Sequence, residues 1–305
     1  MTQEVTALLA FCEGTHDLAF VRRVLRSRLG FEKVDWQFSE FPAPVNSLFR
    51  QNVERHAAQD LSLDMAHKFY LPDHVLRRDA CIAMLFNSGG KDKAFQIKNF
   101  LADYLQLLPL AGTFPQGANA LIARSFVLFL NDADSHGALA VRTKIKQDFA
   151  TVDGRPWLTE DWSVDPADPA GAVAADIGAY VWGDENGVGT LEDLLIPIHR
   201  ATDFGRVDAA EQCIDGLFNW DVDHDDPKRR IAERARRYKA VIALLGQRKK
   251  PGMSQSVMIG QTKIMSDAHF CSDDRVSSFA AFLARFLGMM NDGTLTDPQR
   301  MPIDD

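Results

Sequence analysis

The stretch VTALLAFCEGTHDLAFVRRVLRSRLG, residues 5–30, decides the fold of this chain. It opens with a continuous apolar run, as expected of a parallel strand that is buried on both faces. After a turn at Glu13 and Gly14, apolar residues recur at helical spacing, with Thr15 placed to cap the helix and Gly30 to end it. The stretch therefore predicts a strand, a turn and a helix, which is one unit of an α/β sheet.

Three further apolar runs follow the same plan. They are ACIAMLF at residues 80–86, SFVLFL at 125–130 and IGAYVW at 177–182. Each ends in a polar or acidic turn that leads into a helical pattern. The alternation predicts an α/β protein with an open, mostly parallel four-stranded sheet flanked by helices, in which ligands bind at the carboxyl ends of the strands.

The remaining segments complete the predicted organisation. Residues 32–78 lack the strand–helix alternation and are interpreted as a helical insertion, with a helix over 47–67; residues 151–175, rich in Asp, Pro, Gly and Ala, are interpreted as a long surface loop. The chain then divides into a core of residues 1–31 and 79–200, the insertion at 32–78, and a C-terminal helical extension at 201–305 packed on the core, with a basic helix over 228–246.

Composition and cysteine usage restrict the class of protein. Of the 305 residues, 46% are hydrophobic and 25% are charged, which is ordinary for a globular protein. No stretch approaches the roughly 18 consecutive apolar residues of a membrane span, and the opening MTQEVTALLAF lacks the basic segment of a signal peptide. The four cysteines form no CxxC pair, so we expect no zinc site, no membrane partner and a cytoplasmic protein with reduced thiols.

The charge of the chain is unevenly distributed. The net charge is −8, yet residues 228–250 contain ten Lys or Arg and one acid, Glu233. The rest of the chain therefore holds 24 basic and 41 acidic side chains, by subtraction from totals of 34 and 42. An acidic body with one concentrated basic segment is compatible with a phosphate-binding surface beside an acidic metal centre.

The turn after the first apolar run carries a pair of carboxylates. Asp17 follows Glu13 by four residues, so both side chains can face one point above the end of the strand. Gly14 allows the sharp turn from strand to helix. The alternative is a Glu at a strand end together with an Asp that the N-terminus of a helix favours.

Asp132 and Asp134 form a second pair, directly after the third apolar run. Two carboxylates separated by one residue point the same way while the chain stays extended. Such clusters repel one another unless a cation neutralises them, and hard oxygen ligands of this kind suit Mg²⁺ or Mn²⁺. The alternative is a turn rich in Asp and Asn.

Taken together, these turns resemble the Toprim domain, which is shared by topoisomerases, bacterial primases, 5S ribosomal RNA maturases and the OLD-type nucleases (overcoming lysogenization defect). The motifs of that domain are a Glu in a strand-to-helix turn and a later DxD, matched here by Glu13 and by Asp132 and Asp134. A Gly-Gly pair also follows the second apolar run, at residues 89–90. The resemblance implies a Toprim-like sheet.

The chain is most similar to the OLD-like and small stand-alone Toprim nucleases. In that subgroup an acidic residue follows the Glu by four positions, matched by Asp17, and a later GxLED segment is matched by GTLED at residues 189–193, which contributes Glu192. The similarity covers residues 4–31, 79–148 and 176–197, with a looser match to a helix near the C-terminus.

The resemblance implies a Mg²⁺- or Mn²⁺-dependent nuclease that cleaves phosphodiester bonds with two ions. Glu13, Asp132 and Asp134 would hold one ion, and Asp17 and Glu192 the second, with Asp184 or Glu185 nearby. One ion would activate water and the other would stabilise the leaving oxygen. A lysine in the late helix would stabilise the transition-state phosphate.

The basic segment supplies that lysine and the predicted nucleic-acid contacts. Lys239 fits the catalytic position best, with Lys249 in reserve. The residues predicted to bind DNA or RNA are Arg229, Arg230, Arg236, Arg237 and Lys249. The alternative is a charged helix face that is merely solvated.

Two other functions are compatible with parts of the sequence. SFVLFLNDAD, residues 125–134, also resembles the metal-binding DxD of nucleotide-sugar transferases, which leaves Glu13 and Glu192 unexplained. The other alternative is a non-catalytic or partner-regulated Toprim-fold subunit. OLD-like domains are often coupled to ATPases and stand-alone ones occur in phage defence; since this chain has no GxxxxGK[ST] motif, an ATPase would be a separate chain. The sequence leaves homo-oligomerisation open.

Overall fold

Ten strands and ten α-helices form within residues 3–57, 71–90, 93–113, 120–247, 251–261 and 264–289, the part of the chain that this computed structural model describes. The strands are β1 (Gln3–Cys12), β2 (Glu32–Lys33), β3 (His74–Arg78), β4 (Cys81–Asn87), β5 (Ala120–Asp132), β6 (Thr151–Val152), β7 (Arg155–Pro156), β8 (Ser163–Asp165), β9 (Asp168–Ala174) and β10 (Ile177–Trp182). The helices are α1 (Thr15–Leu29), α2 (Val45–Ala57), α3 (Ala94–Leu107), α4 (Ala138–Phe149), α5 (Leu191–Thr202), α6 (Phe204–Leu217), α7 (Pro227–Gln247), α8 (Gln255–Ile259), α9 (Asp267–Ser272) and α10 (Asp274–Phe286).

The central sheet is a mixed one of eight strands in the order β2-β3-β4-β1-β5-β10-β9-β8. Its middle, β4-β1-β5-β10, is parallel and consists of the four strands expected from the apolar runs. Antiparallel strands extend both edges, so the expected four-stranded sheet was too small. The chain is thus an α/β protein with a partly parallel core, flanking helices and a C-terminal helical region.

The segment 151–175, expected to be a surface loop, instead contains four short strands. β8 and β9 pair with one another, β9 also pairs with β10, and β6 and β7 form a separate hairpin. Gly171 in β9 lies against the Phe282 ring, where an added Cβ would stand 2.6 Å from a ring carbon. Small residues weaken a strand in isolation. Here they let α10 pack closely against β9, and this packing compensates for the low strand propensity.

The segment 32–78 is not purely helical either. α2 confirms part of the expected helix, whereas residues 58–70 lie outside the described ranges. β3 pairs antiparallel with β4 through a tight turn at Asp79, whose φ is +51°, and β2 pairs with β3. HVLRR, the sequence of β3, is too short and polar for an apolar pattern to reveal it.

Helices cover both faces of the sheet. Leu8 and Ala10 of β1 face a core shared with α1, α5 and the C-terminal helices, while Leu9 and Phe11 face a core shared with α2, α3 and α4. The helix after β1 therefore lies on the opposite face from those after β4 and β5. Such a reversal opens a crevice at the carboxyl ends of the strands.

The C-terminal region packs on α1 through a buried arginine. Arg23 donates hydrogen bonds of 2.7 Å to the carbonyl oxygens of Ile259 and Met265 and pairs with Asp267 at 2.7 Å. Its guanidinium lies 4.2 Å from the centre of the Phe270 ring. These contacts fix α8 and α9 beside the crevice.

Among the described residues, no helix is long and apolar enough to cross a membrane.

Candidate active site

A cavity of about 170 Å³ lies in the crevice at the carboxyl ends of β1 and β5. Its walls consist of Glu13, Gly14, His16, Asp17, Gly90, Asp132, Leu191, Glu192 and Lys239. Four of these nine residues are carboxylates, and one is a lysine. A larger depression of about 420 Å³ lies along α3, where Asp148 and Asp153 supply the acids. The smaller cavity is the stronger candidate because it gathers two almost fully buried carboxylates with two others and a cation.

The backbone of the strand ends holds Glu13 in place. Its N–H donates to the carbonyl oxygen of Leu130 (3.0 Å), and its carbonyl oxygen accepts from the N–H of Gly90 (3.0 Å). The carboxylate oxygen Oε2 accepts from the N–H of Asp132 (3.1 Å) and from Asn131 Nδ2 (3.5 Å). Glu13 thus joins the ends of three adjacent strands, as expected for a ligand site at this position.

Asp17 faces the cavity from the first turn of α1 and is 5% exposed. Its Oδ2 accepts from the N–H of Gly14 (2.9 Å), which caps the helix. Its Oδ1 is buried and accepts no hydrogen bond from the described residues. Burial, followed by the charge of Glu13, raises the pKa of Asp17 to about 7. The ionised form is therefore costly here in the absence of a compensating cation.

Asp132 ends β5 and points at the N-terminus of α5. Its Oδ1 accepts from the N–H of Leu191 (2.8 Å), a favourable place for a negative charge. Burial nevertheless raises its pKa well above the usual range, and the charges of Asp17, Glu192 and Glu13 raise it further. The two predicted pairs of carboxylates are thus brought together through Asp132.

Asp134 is placed differently from Asp132. Its φ is +46°, so the chain leaves the extended conformation between the two residues. The backbone N–H and carbonyl of Asp134 both pair with Gly189 at 2.7 Å. Within the described residues, the cavity lining includes Asp132 and leaves out Asp134. The structure thus brings the first carboxylate of the predicted pair, but not the second, to the wall of the cavity.

Glu192 is the most buried of the carboxylates, at 2% exposure. Its Oε1 lies 3.0 Å from Gln255 Nε2, 3.5 Å from His16 Nδ1 and 3.9 Å from Lys239 Nζ. Burial by itself would raise the pKa of Glu192, but the hydrogen bond with His16 and the charge of Lys239 outweigh it and lower that pKa. Its Oε2 is buried without a hydrogen-bond partner in the described part of the chain.

The other acids near this turn are engaged elsewhere. Arg234 of α7 pairs with Asp184 at 2.9 Å and with Asp193 at 3.0 Å. Glu185 is exposed, and neither Glu185 nor Asp184 is among the residues that line the cavity. Arg234 thus holds the loop between β10 and α5 against α7. About one and a half turns further along the same helix, Lys239 reaches the cavity.

The remaining basic residues of α7 have different surroundings. Arg237 is bonded to both carboxylate oxygens of Asp215 at 2.7 Å and joins α6 to α7. Arg229 and Arg230 are exposed and contact His224, and Arg236 is exposed beside Glu233. Lys249 lies outside the described residues.

The carboxylate oxygens of the cavity are chemically suitable ligands for a divalent cation. Among the described residues, no three His, Cys, Asp or Glu side chains meet in an arrangement that holds an ion as they stand. The carboxylates are turned instead toward N–H groups of the protein. Asp17 Oδ1 and Glu192 Oε2 still lack a hydrogen-bond donor among the described residues. Hard carboxylate oxygens of this kind are ligands for Mg²⁺ or Mn²⁺.

Sequence reasoning missed three residues of this site. His16 sits between Glu13 and Asp17, and its position in the same helical turn was a usable signal. No sequence signal pointed to Gln255 or Arg234, because their contacts with Glu192 and Asp184 join residues that are 63 and 50 positions apart.

Comparisons with known proteins supply no identity. No family model matches the chain, and no curated protein matches its sequence. One solved structure, of a hypothetical protein from Pyrococcus horikoshii OT3, matches 94% of this chain and 97% of that one, with 13% identity and a TM-score of 0.41. A similarity this low indicates neither family nor function.

Proposed function

We propose that this protein is a Toprim-type, divalent-metal-dependent nuclease that cleaves phosphodiester bonds of nucleic acid. The observation that carries the proposal is the meeting of Glu13, Asp17, Asp132, Glu192 and Lys239 in one cavity. These residues come from distant parts of the sequence and include all but one of the carboxylates that the Toprim resemblance assigns to the metals.

The carboxylates would hold the ions. Glu13 Oε2 accepts the backbone N–H of Asp132 across the strand ends, and the carboxylates of these two residues suit one ion. Asp17 and Glu192 offer the two buried oxygens that lack hydrogen-bond donors among the described residues. Bound Mg²⁺ or Mn²⁺ would polarise the phosphate and lower the pKa of a water molecule.

Lys239 would bind a non-bridging phosphate oxygen. Its side chain is 48% exposed at the mouth of the cavity and is held toward Glu192. An ammonium group at this position opposes the repulsion between phosphate and carboxylates, and it stabilises charge that develops in the transition state.

The transferase alternative accounts for less of the site. It would use Asp132 and Asp134 as a pair, and the left-handed backbone at Asp134 does not favour that pairing. It also gives no role to Asp17 or Glu192. Release of sugar from a nucleotide-sugar in the presence of Mn²⁺ would support it.

The decisive experiment is a cleavage assay with plasmid, linear DNA and tRNA in Mg²⁺ or Mn²⁺. We expect wild-type cleavage, loss of activity in Glu13→Gln and Asp132→Asn, and full activity in Asp208→Asn, which changes an exposed carboxylate of α6. Undiminished cleavage in EDTA, or by Glu13→Gln, would overturn the proposal.

A separate ATPase as regulator is part of the proposal, as is a role in phage defence. Size-exclusion chromatography with the product of a neighbouring gene tests the association. Cleavage that appears only when this partner is added or released would identify the chain as its effector.

A further inference from the structure

The two carboxylate oxygens of Glu192 have different surroundings. Three side chains from different helices approach Oε1: Gln255 Nε2 at 3.0 Å, His16 Nδ1 at 3.5 Å and Lys239 Nζ at 3.9 Å. Oε2, in contrast, is buried and has no hydrogen-bond partner among the described residues. The carboxylate is thus held at one oxygen, and the other remains for a cation.

Gln255 makes the shortest of these three contacts, and it does so from a buried position. The residue is 7% exposed, and Glu192 is 2% exposed, so water does not compete for their bond. A separation of 3.0 Å lies within the usual range for an N–H···O hydrogen bond, whereas the contacts of His16 and Lys239 are longer than that range. The amide of Gln255 is therefore the main restraint on the orientation of this carboxylate within the described part of the chain.

Gln255 lies behind the wall of the cavity. The lining includes Glu192, His16 and Lys239, and Gln255 is not among the residues that form it. Its effect on anything bound in the cavity is therefore exerted through the carboxylate of Glu192.

A neutral amide suits this place chemically. It donates a hydrogen bond but carries no charge, so the carboxylate keeps its negative charge for an ion. Lys239 does bring a positive charge, but its side chain is 48% exposed and water screens the interaction. Hydrogen bonds from behind a ligand fix the direction in which it meets a metal, and their loss costs about 10- to 100-fold in affinity.

The packing of α8 fixes the position of the amide. Ile259, at the end of this helix, accepts a hydrogen bond of 2.7 Å from Arg23 of α1. Met258 packs against Gly246 of α7, where an added Cβ would stand 2.5 Å from the sulfur atom. Gln255 is thus carried by a short helix held against α1 and α7, and both of these helices also supply residues of the cavity.

We propose that Gln255 is a positioning residue for the metal site, whose amide holds Oε1 of Glu192 and so presents Oε2 to a divalent cation. The inference rests on the metal site of the proposed function. It deepens that proposal by giving a role to a residue outside the cavity.

Binding of Mn²⁺ tests this role without cleavage. Electron paramagnetic resonance measures the free ion during a titration and so gives Kd. Gln255→Met keeps the length of the side chain and removes the donor, while Gln255→Asn withdraws the amide by one methylene. The matched control is Gln212→Met, which removes a bond of 2.8 Å between a glutamine and Asp208 on the exposed surface of α6. Thermal melts in EDTA verify that the variants are folded.

We expect both Gln255 variants to fold and to raise Kd for Mn²⁺ by about 10- to 100-fold. The control should stay within about twofold of wild type. In a Glu192→Gln background, Gln255→Met should change Kd by less than about twofold, because the amide then has no charged ligand to orient. A substitution that merely loosened the fold would weaken binding equally in both backgrounds.

Folded Gln255 variants that bind Mn²⁺ as wild type does would overturn the positioning role and leave the metal site standing. An equal loss in the Glu192→Gln background, or unfolding of both variants in EDTA, would also overturn it. Absence of Mn²⁺ binding by wild-type protein would contradict the proposed function, and the positioning role with it. Binding that depends on Gln255 without cleavage of any nucleic acid would contradict the nuclease alone.

Discussion

The Nζ atom of Lys239 lies 3.9 Å from Oε1 of Glu192, and the two side chains come from α7 and α5. The carboxylate is 2% exposed, whereas the lysine side chain is 48% exposed. The pair therefore extends from the buried wall of the cavity to its mouth, and places a positive charge beside the four carboxylates that line the cavity.

This pair makes Lys239 the first residue to test. If the proposed nuclease mechanism holds, Lys239→Met should lower kcat for cleavage by about 10²- to 10³-fold, because the variant loses a cation that would oppose charge in the transition state. Lys228→Met, at an exposed position of the same helix, should keep the wild-type rate. Equal rates for Lys239→Met and wild type in steady-state assays would remove the lysine from the mechanism.

Asp17 allows the proposed binding of metal to be tested without any cleavage. At pH 8 and in EDTA, Asp17 is ionised in the fold beside Glu13, because its pKa is about 7. Asp17→Asn should therefore melt at a higher temperature than wild type under these conditions. Added Mg²⁺ should raise the melting temperature of wild type more than that of the variant.

Differential scanning fluorimetry measures both effects, and Asp208→Asn is the control. An equal Mg²⁺-induced shift in wild type and Asp17→Asn would show that Asp17 does not contribute to the ion site.

His199 in α5 gives the protein an acid-dependent stability. Burial lowers its pKa to about 4, and its Nε2 has no hydrogen-bond partner among the described residues. Between about pH 6.5 and about pH 4 the unfolded chain binds a proton that the folded protein does not, so the free energy of unfolding falls as the pH falls. The full effect is about 3 kcal/mol, at 1.36 kcal/mol per pKa unit.

Urea unfolding at pH 7 and pH 5 checks this prediction. His199→Gln should lose less stability than wild type between the two values, while His136→Gln, at an exposed position, should behave as wild type. Parallel losses in all three proteins would contradict the assignment to His199.

Gly189 is required by the turn that positions Glu192. Its φ is +110°, and an added Cβ would stand 2.4 Å from Asp193 Oδ2 and 3.0 Å from a guanidinium nitrogen of Arg234. Gly189→Ala should lower the free energy of unfolding by about 2 kcal/mol or more. Gly205→Ala, whose Cβ would meet nothing within 4 Å, should leave stability unchanged or raise it by up to about 1 kcal/mol. Urea titrations that rank the two variants the other way would contradict this account.

The parts of the fold that the sequence predicted are those with local causes. The four apolar runs became the parallel strands because a strand buried on both faces is recognisable from its own residues. β3 is short and polar, whereas β9 is rich in small residues, and both form because β4 and β10 offer a partner. Their stability comes from pairing with a neighbouring strand, and the local sequence pattern does not predict that pairing.

The same distinction applies to the site. Glu13 and Asp17 share one turn, so their spacing predicted their proximity. The position of Asp134 depends instead on its pairing with Gly189, 55 residues later in the sequence by subtraction, which bends the chain away from the extended form. Arg237 was expected at a nucleic-acid surface, and its bond to Asp215 became visible only once α6 and α7 were packed together.

Glu192 contacts His16 on one side and Gln255 on the other, so the site joins an early turn of the polypeptide to a late helix. A ribosome completes β1, β5 and β10 long before it reaches Lys239 and Gln255. The growing polypeptide thus carries these acids without the lysine that balances them until α7 and α8 have been synthesised.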